Sequence, residues 1–355
     1  MLIKLINAKI KQQGVALITV MLIVALASII AAQMTARLQV QMQRSTNISF
    51  NQQAYWYALG AEAFSKRVLI KAFKDEPKVT HLEQIWAIGA NSYPVDFGEI
   101  GGEISDLQSC LNLNALHPSA KTKNQSKADD SATVDDAKAT GRNANDLNKL
   151  PAATVLEALL INLDIQDIST FEAEAMVESL TDWLDSNDTI TGTGGAEDND
   201  YASREFPYLA ANNFLGSVNE LRLVEHFTPQ VILALMPYVC VLPQNSQHLI
   251  NINTVSAEHP KLIQAMLDIS LEDAQSVLGA RDSSGYEDLT DFFNLPELTD
   301  AKLDEWQKAQ FVVDSDYFKL KANARFNNSY FDMTSIMQVQ SNQEIQIISR
   351  TIGRN

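Results

Sequence analysis

From Val15 to Ala32 the only polar side chains are Thr19 and Ser28. Eighteen helical residues rise about 27 Å, enough to cross the hydrocarbon core of a bilayer. Lys4, Lys9 and Lys11 precede this run without an acid, which holds that end in the cytoplasm and sends the rest of the chain across the membrane. A secretory signal peptide has the same basic start and apolar middle. Its apolar region is shorter, however, and here no small-x-small cleavage site is followed by a change of composition. A plain membrane anchor is the other simple reading.

Past the membrane the same helix is expected to run to about Lys74 and to stop before Pro77. Tyr57, Ala61, Phe64, Val68 and Ala72 fall at helical spacing and predict the stripe that packs on a sheet. Strands are expected at Tyr93–Phe97 and Glu99–Ile104, bounded by Gly and Pro, with Leu111–Leu116 ending that series. Residues 118–148 are Ala, Ser, Lys, Asp, Asn and Thr with almost nothing to bury, the composition of a disordered loop. Helices are expected near 151–162, 168–186, 217–225, 228–238, 254–267, 271–281 and 299–310. Asn112-Leu113-Asn114-Ala115 and Asn251-Ile252-Asn253-Thr254 read as two copies of one motif, each entering a helical run. Alternation returns in Ile336–Gln340 and Ile345–Ile348. The fold class is therefore α+β: a long N-terminal helix on an antiparallel sheet, with a helical domain inserted. The expected boundaries are 1–14, a leader; 15–36, the membrane segment; 37–113, helix and first strands; 114–310, the insertion; and 311–355, the closing strands.

At 355 residues the chain has room for two or three domains. Its formal charge of -17 falls to -20 without the leader lysines, which disfavours nucleic acid and anionic membrane surfaces. Cys110 and Cys240 read as one disulfide if the body lies outside the cytoplasm, and otherwise as two buried thiols.

Between Thr181 and Tyr208 seven acids, Asp182, Asp185, Asp188, Glu197, Asp198, Asp200 and Glu205, face one base, Arg204. Gly192, Gly194 and Gly195 let the backbone double back, so the two acidic groups can converge. Converging carboxylates repel unless something positive sits between them. Calcium suits such a set, taking six to eight oxygens in irregular geometry. Without His or Cys the stretch disfavours zinc or copper. The spacing is not that of an EF-hand, since Ile190 stands where Gly is needed. A solvated acidic loop is the alternative. Enzyme motifs are absent, and the five histidines, His81, His117, His226, His248 and His259, are scattered and read as surface or cap residues. Residues 251–289 resemble helix-hairpin-helix DNA-binding modules. Their hairpin, Leu267-Asp268-Ile269-Ser270, lacks glycine and carries an acid, so no nucleic acid is expected.

A basic leader ending in Gly14, followed by an apolar helix from Val15, resembles a type IV prepilin leader cut by prepilin peptidase after the glycine. The continuation Gln52-Gln53-Ala54-Tyr55-Trp56-Tyr57-Ala58-Leu59-Gly60-Ala61-Glu62-Ala63 resembles the minor pseudopilin K (GspK) branch of that superfamily, from type II secretion systems. The likeness covers essentially the whole mature chain. It implies a pseudopilin fold, no catalysis, and a place at the tip of the secretion pseudopilus. The implied partners are minor pseudopilins I, J and H and the major pseudopilin G. The implied setting is the inner membrane, single-pass, with the body in the periplasm. Most pseudopilins carry Glu at the fifth mature position; here it is Thr19, a departure shared by the K branch and fitting a subunit with nothing above it. Asp-Trp-Leu-Asp, Gly-Ala-Glu-Asp and Pro-Tyr resemble the calcium-binding region of this family. By position the implied ligands are Asp185, Asp188, Glu197, Asp198 and Asp200, with Asp182, Asn187 and Asn212 second. A minor pilin of a type IV pilus or competence filament, and a membrane-anchored calcium-dependent periplasmic binding protein, are the competing readings.

Overall fold

The computed structural model describes residues 15–120, 149–340 and 343–353. The leader with its cut at Gly14, and residues 121–148 of the expected disordered loop, lie outside the described residues. Pro118–Ala120, at the start of that loop, form a short 3-10 turn.

Helix α1 runs from Val15 to Asp75, 61 residues, ending in a turn that carries Lys74. Residues 15–49 are exposed on every side. Within them the hydroxyls of Thr19, Ser28 and Thr35 donate to the carbonyls of Ala16, Val24 and Ala31 at 2.8–2.9 Å. Beyond Phe50 one face of α1 is buried: Ala54, Ala58, Ala61, Glu62, Ser65, Leu69, Ala72 and Phe73. Of the stripe expected from apolar spacing, Ala61 and Ala72 are buried and Tyr57 and Val68 pack half-buried on the sheet core, while Phe64 departs from it, 53% exposed. Ala54, Ala58 and Ala61 let the helix axis sit close on the sheet, and Leu69 and Phe73 fill the contact further along. Tyr57 and Phe64 flank this line, the Tyr57 hydroxyl donating to the Asp96 carbonyl at 2.9 Å and Phe64 packed edge-on against Tyr93.

The chain continues through β1 (Asn91–Val95), β2 (Gly98–Asp106) and β3 (Leu111–Asn112). It then passes α2 (Pro151–Asn162), α3 (Thr170–Leu184), α4 (Asp198–Ala202), α5 (Pro229–Leu235), β4 (Val239–Cys240) and β5 (Ile250–Asn251). Next come α6 (Lys261–Leu267), α7 (Leu271–Gly279), α8 (Leu289–Phe293), α9 (Pro296–Ala301), α10 (Glu305–Lys308), β6 (Phe311–Val312), β7 (Tyr317–Phe326), β8 (Ser329–Val339) and β9 (Ile345–Ile352). The main sheet has the order β1-β2-β7-β8-β9, all antiparallel. Everything between β2 and β7 is an insertion. Three helix boundaries differ from expectation. The 254–267 segment is helical only after Pro260; 217–225 holds only the 3-10 turn Val218–Arg222; and 299–310 is split into α9 and α10 where Lys302 takes a left-handed φ of 51°. Helices α4 and α8 were not expected, being a single turn or so each.

Phe50 of α1 meets Phe326 at one end of the sheet, and Phe73 meets Phe318 at the other. Asp106, where the chain leaves the sheet, pairs with Phe318. The insertion thus grows from the end of the sheet away from the apolar segment of α1.

Among the described residues the regular structure of the insertion is helical apart from two two-residue parallel strand pairs, β3 with β4 and β5 with β6. These pairs carry the two Asn-x-Asn copies. In the first, Asn112 accepts from the Leu242 amide at 3.0 Å and donates to the carbonyls of Asn245 and Gln247. Asn114 holds the backbone of Leu215 through both its donor and its acceptor. In the second, Asn253 does the same to Tyr286, donating to its carbonyl and accepting from its amide. Gly285 passes so close that a Cβ there would lie 2.5 Å from Asn253 Cγ, and its φ of +73° is one L side chains rarely adopt. Each copy opens one helical unit and locks a distant segment onto it.

The cores of insertion and sheet are separate apolar clusters. Between them lie a small cluster of Leu107, Cys240, Leu242 and Tyr317, the Cys110–Cys240 disulfide with Cα atoms 5.8 Å apart, and a polar hub. At the hub the buried Asp106 accepts from Thr254 Oγ1 and Ser315 Oγ at 2.5 Å each and from the Gln108 amide at 2.7 Å. Asn251 extends it, donating to Ser315 Oγ and to the carbonyl of Thr80. A second polar lock joins helix to sheet: Glu62 accepts from Arg350 at 2.8 and 3.0 Å and from Ser335 Oγ at 2.6 Å. Burial raises the Glu62 carboxyl, but the hydrogen bonds from Arg350 and Ser335 and the Arg350 charge outweigh it and leave it lowered.

Both polar sites can be tested by stability. Arg350→Ala leaves Glu62 buried without its cation, and should destabilise the detergent-solubilised chain by about 2–3 kcal/mol in urea unfolding, less than a fully buried pair because Arg350 is partly exposed. Burial pushes the Asp106 carboxyl up to about 6, against the pull of Ser315, Thr254, the Gln108 amide and Asn251. A raised carboxylate contributes stability that is full below its unfolded value and lost as pH rises through the folded one. The loss should therefore fall between about pH 4 and 6 and amount to about 3 kcal/mol; Asp106→Asn should remove that slope from the pH–stability profile.

Candidate metal centre

Helix α3 supplies the first side of the acidic stretch. Ser169 and Glu172 form a capping box at its start, and Asp185 ends it in extended conformation. Across its last two turns Glu178 and Asp182 lie one turn apart on one face and reel in the next loop. The Glu178 carboxylate accepts from the amides of Thr193 and Gly194 at 3.0 and 2.7 Å. Asp182 accepts from the Thr191 amide with both oxygens at 3.1 Å. The loop passes so near that a Cβ on Gly195 would lie 2.2 Å from Asp182 Oδ2 and 2.5 Å from the Thr191 carbonyl. The glycines do fold the second acidic group back onto the first.

The expected ligands divide by what they already bind. Asp185 accepts from the Asn187 amide at 3.0 Å, and Asn187 from the Thr189 amide at 2.8 Å, two successive side-chain turns. Asp200 turns back to accept from the Glu197 amide at 3.0 Å, and Asp198 holds the Ala210 amide at 2.9 Å. Glu197 differs from all of these. It is 3% exposed, and neither carboxylate oxygen has a hydrogen-bond partner among the described residues. Burial raises its carboxyl to about 7, with Asp182, Asp185, Asp188 and Asp198 adding to the rise. Asn212 Oδ1 is another buried acceptor without a partner among the described residues, on a residue with a φ of 45°.

A buried carboxylate with two open oxygens and four acids acting on it supplies hard oxygen donors. That chemistry fits a cation of the calcium or magnesium class. The side chains alone do not complete a shell: among the described residues no three His, Cys, Asp or Glu groups converge on one point. Backbone carbonyls and Asn amides would have to complete it.

The histidines are corrected in part. His81 is buried, 2.5 Å from Glu76, and His248 is 2.7 Å from Gln310 with its ring pushed down to about 4 by burial. His117 stacks on Phe214. Glu178, Asp106 and the Glu62–Arg350 lock were missed. Only Glu178 had a signal within reach, four residues before Asp182 on a predicted helix. In the hairpin Leu267–Ser270, Asp268 takes the left-handed conformation that glycine adopts most readily.

The protein-family description "Type II secretion system (T2SS), protein K" matches residues 109–244 and 250–314, and its two segments coincide with the two helical units. The type II secretion system protein K of Aeromonas hydrophila is 34% identical over 349 residues, covering 97% of this chain and 98% of that protein. Its counterpart in Pectobacterium carotovorum is 32% identical, covering 97% of each. Among solved structures, the GspK-GspI-GspJ complex from enterotoxigenic Escherichia coli contains a chain that matches with a TM-score of 0.70 and 30% identity. The match covers 89% of this chain and 100% of that one. A long apolar helix, an antiparallel sheet and two inserted helical units therefore go together with sequence likeness along nearly the whole chain: it belongs to the type II secretion system protein K family, minor pseudopilins of the secretion pseudopilus.

Proposed function

We propose that this chain is the tip subunit of the type II secretion pseudopilus. There it assembles with minor pseudopilins I and J, is joined by H, and caps the major pseudopilin G. The observation that carries this reading is the place of the insertion. It rises from the end of the sheet opposite the apolar segment of α1, where a stacked copy of the body would have to sit. A subunit so built can end a filament and cannot extend one. Thr19 agrees with an end position: its hydroxyl bonds the Ala16 carbonyl of its own helix at 2.9 Å and needs no partner from a subunit above.

Among the described residues one helix, Val15–Asp75, is long and apolar enough to cross a membrane. Prepilin peptidase would cut between Gly14 and Val15, leaving α1 in the inner membrane and the body in the periplasm. A joined Cys110–Cys240 pair fits that oxidising compartment. The family is a structural part of a secretion system, and we assign the chain no catalysis.

Calcium is the structural ion we assign to the acidic loop. Glu197, Asp188 and Asn212 would hold it, with Asp182, Asp185, Asn187, Asp198 and Asp200 fixing the turns that present them. When bound, such an ion neutralises the facing carboxylates. Glu178 and Asp182 clamp the loop to α3 through its backbone amides.

Two measurements test these assignments. Co-purification of the full chain from membranes with the I and J subunits should give a stable complex; recovery of this chain alone would remove the tip assignment. Calcium at about 100 times its dissociation constant should add about 2.7 kcal/mol, a rise of several degrees in melting temperature that chelator reverses. Glu197→Gln should abolish that response, and a melt indifferent to calcium in the wild-type chain would remove the ion.

A further inference from the structure

We propose that the cleft where the insertion meets the end of the β8–β9 pair is a binding site for an uncharged oligosaccharide. The loop at residues 243–246, just beyond β4, faces Gln338 of β8 and residues 346–348 of β9 across a space of about 650 Å³, within the range of small-molecule sites. Charged residues make up 20% of the chain, yet the described residues that line this cleft include no acid, lysine, arginine or histidine. What they present instead is amides, on Gln244, Asn245, Gln338 and Gln346, together with the phenol of Tyr317 and the ring of Phe214. The proposal does not depend on where the chain stands in a filament.

Some hydrogen-bonding groups of the cleft are engaged and others are open. Tyr317, 6% exposed, accepts from Asn245 Nδ2 at 2.5 Å and from Gln338 Nε2 at 2.8 Å. Two donors onto one phenol oxygen leave its own proton without an acceptor among the described residues. Gln346 Oε1 accepts from Gln340 Nε2 at 3.3 Å, while its own amide hydrogens stay open. Gln244 is exposed, and its side chain makes no hydrogen bond among the described residues. Its backbone takes a φ of 54°, a conformation that glycine or asparagine adopts more readily. A primary amide carries donor and acceptor side by side, and so matches two neighbouring hydroxyls, each of which both donates and accepts. Phe214, stacked on His117 at 4.2 Å, supplies a flat apolar surface for the C–H face of a sugar ring. An ion of either sign would leave water for a site without a countercharge, which is unfavourable. A peptide added as a strand needs a continuous row of backbone groups along a sheet edge. The cleft reaches only residues 346–348 of β9, and Ile348 falls in the register shift between the Ile336–Ser349 and Met337–Ile347 pairs. A sugar makes neither demand.

The test titrates the detergent-solubilised full chain with chitotetraose, cellotetraose and maltotetraose, by calorimetry and by saturation-transfer NMR. At least one of these sugars should bind saturably. Gln244→Ala, at an exposed position without a side-chain bond, should keep the wild-type melting temperature and weaken that binding at least tenfold, and Gln346→Ala should do the same. Trigalacturonate, with a carboxylate on every ring, should not bind. Absence of saturable binding by all three neutral sugars overturns the site, as does binding that both variants leave unchanged. Trigalacturonate binding as tightly as the neutral sugars overturns the choice of an uncharged ligand. Displacement of the sugar by a neutral peptide, acetyl-tetraalanine amide, overturns the choice of a sugar.

Discussion

Strands β2 and β7 are neighbours in the sheet, yet Asp106 and Ser315, which mark the exit and the return, are 209 residues apart. Everything else depends on those two points staying together. The two apolar cores do not merge across the boundary, so the hydrophobic effect stabilises each side without fixing one against the other. Directional bonds do that work. The Asp106 carboxylate, with Thr254, Ser315, Gln108 and Asn251 around it, joins the last residue of a strand to the second Asn-x-Asn copy and to the returning chain. The disulfide does the same for the first helical unit.

The same division of labour recurs at the acidic loop. Glu178, Asp182, Asp185, Asp198 and Asp200 each hold backbone amides and give the loop its shape. Glu197 holds nothing and is buried among them. Shape and unspent charge are carried by different residues. That separation is what one expects where a ligand completes the arrangement, since a loop that spent every carboxylate on its own amides would have none left to offer.

Local features were legible in the sequence and distant ones were not. The limits of α1 follow from an unbroken helical pattern and Pro77, and the doubling back of the acidic loop follows from three glycines. The two Asn-x-Asn copies are visible as a repeat, though not their purpose, because Leu215 and Tyr286 lie 101 and 33 residues from the asparagines that hold them. Apolar spacing located the sheet-facing side of α1 through Ala61, Ala72, Tyr57 and Val68, but put the exposed Phe64 on it and left out Ala54 and Ala58. Closeness to the sheet selects alanine at those positions, whereas Leu69 and Phe73 fill the wider contact further along. Nothing in the stretch around Asp106 distinguishes it from a surface acid, since apart from the neighbouring Gln108 amide its partners come from residues 251–315. The break at Lys302 is a left-handed residue without the usual glycine, and leaves no mark in the pattern.

The three hydroxyls in the first part of α1 have a consequence for movement. Thr19, Ser28 and Thr35 each bond a carbonyl of their own helix, so from Val15 to Ala32 the segment makes its side-chain polar bonds entirely within itself. Its neighbours, lipid or helix, can then hold it only by dispersion and apolar area. Such a segment can turn about its axis, or be drawn lengthwise out of the bilayer, without breaking a polar bond on the way. Extraction would proceed as a smooth slide rather than as a series of ruptures.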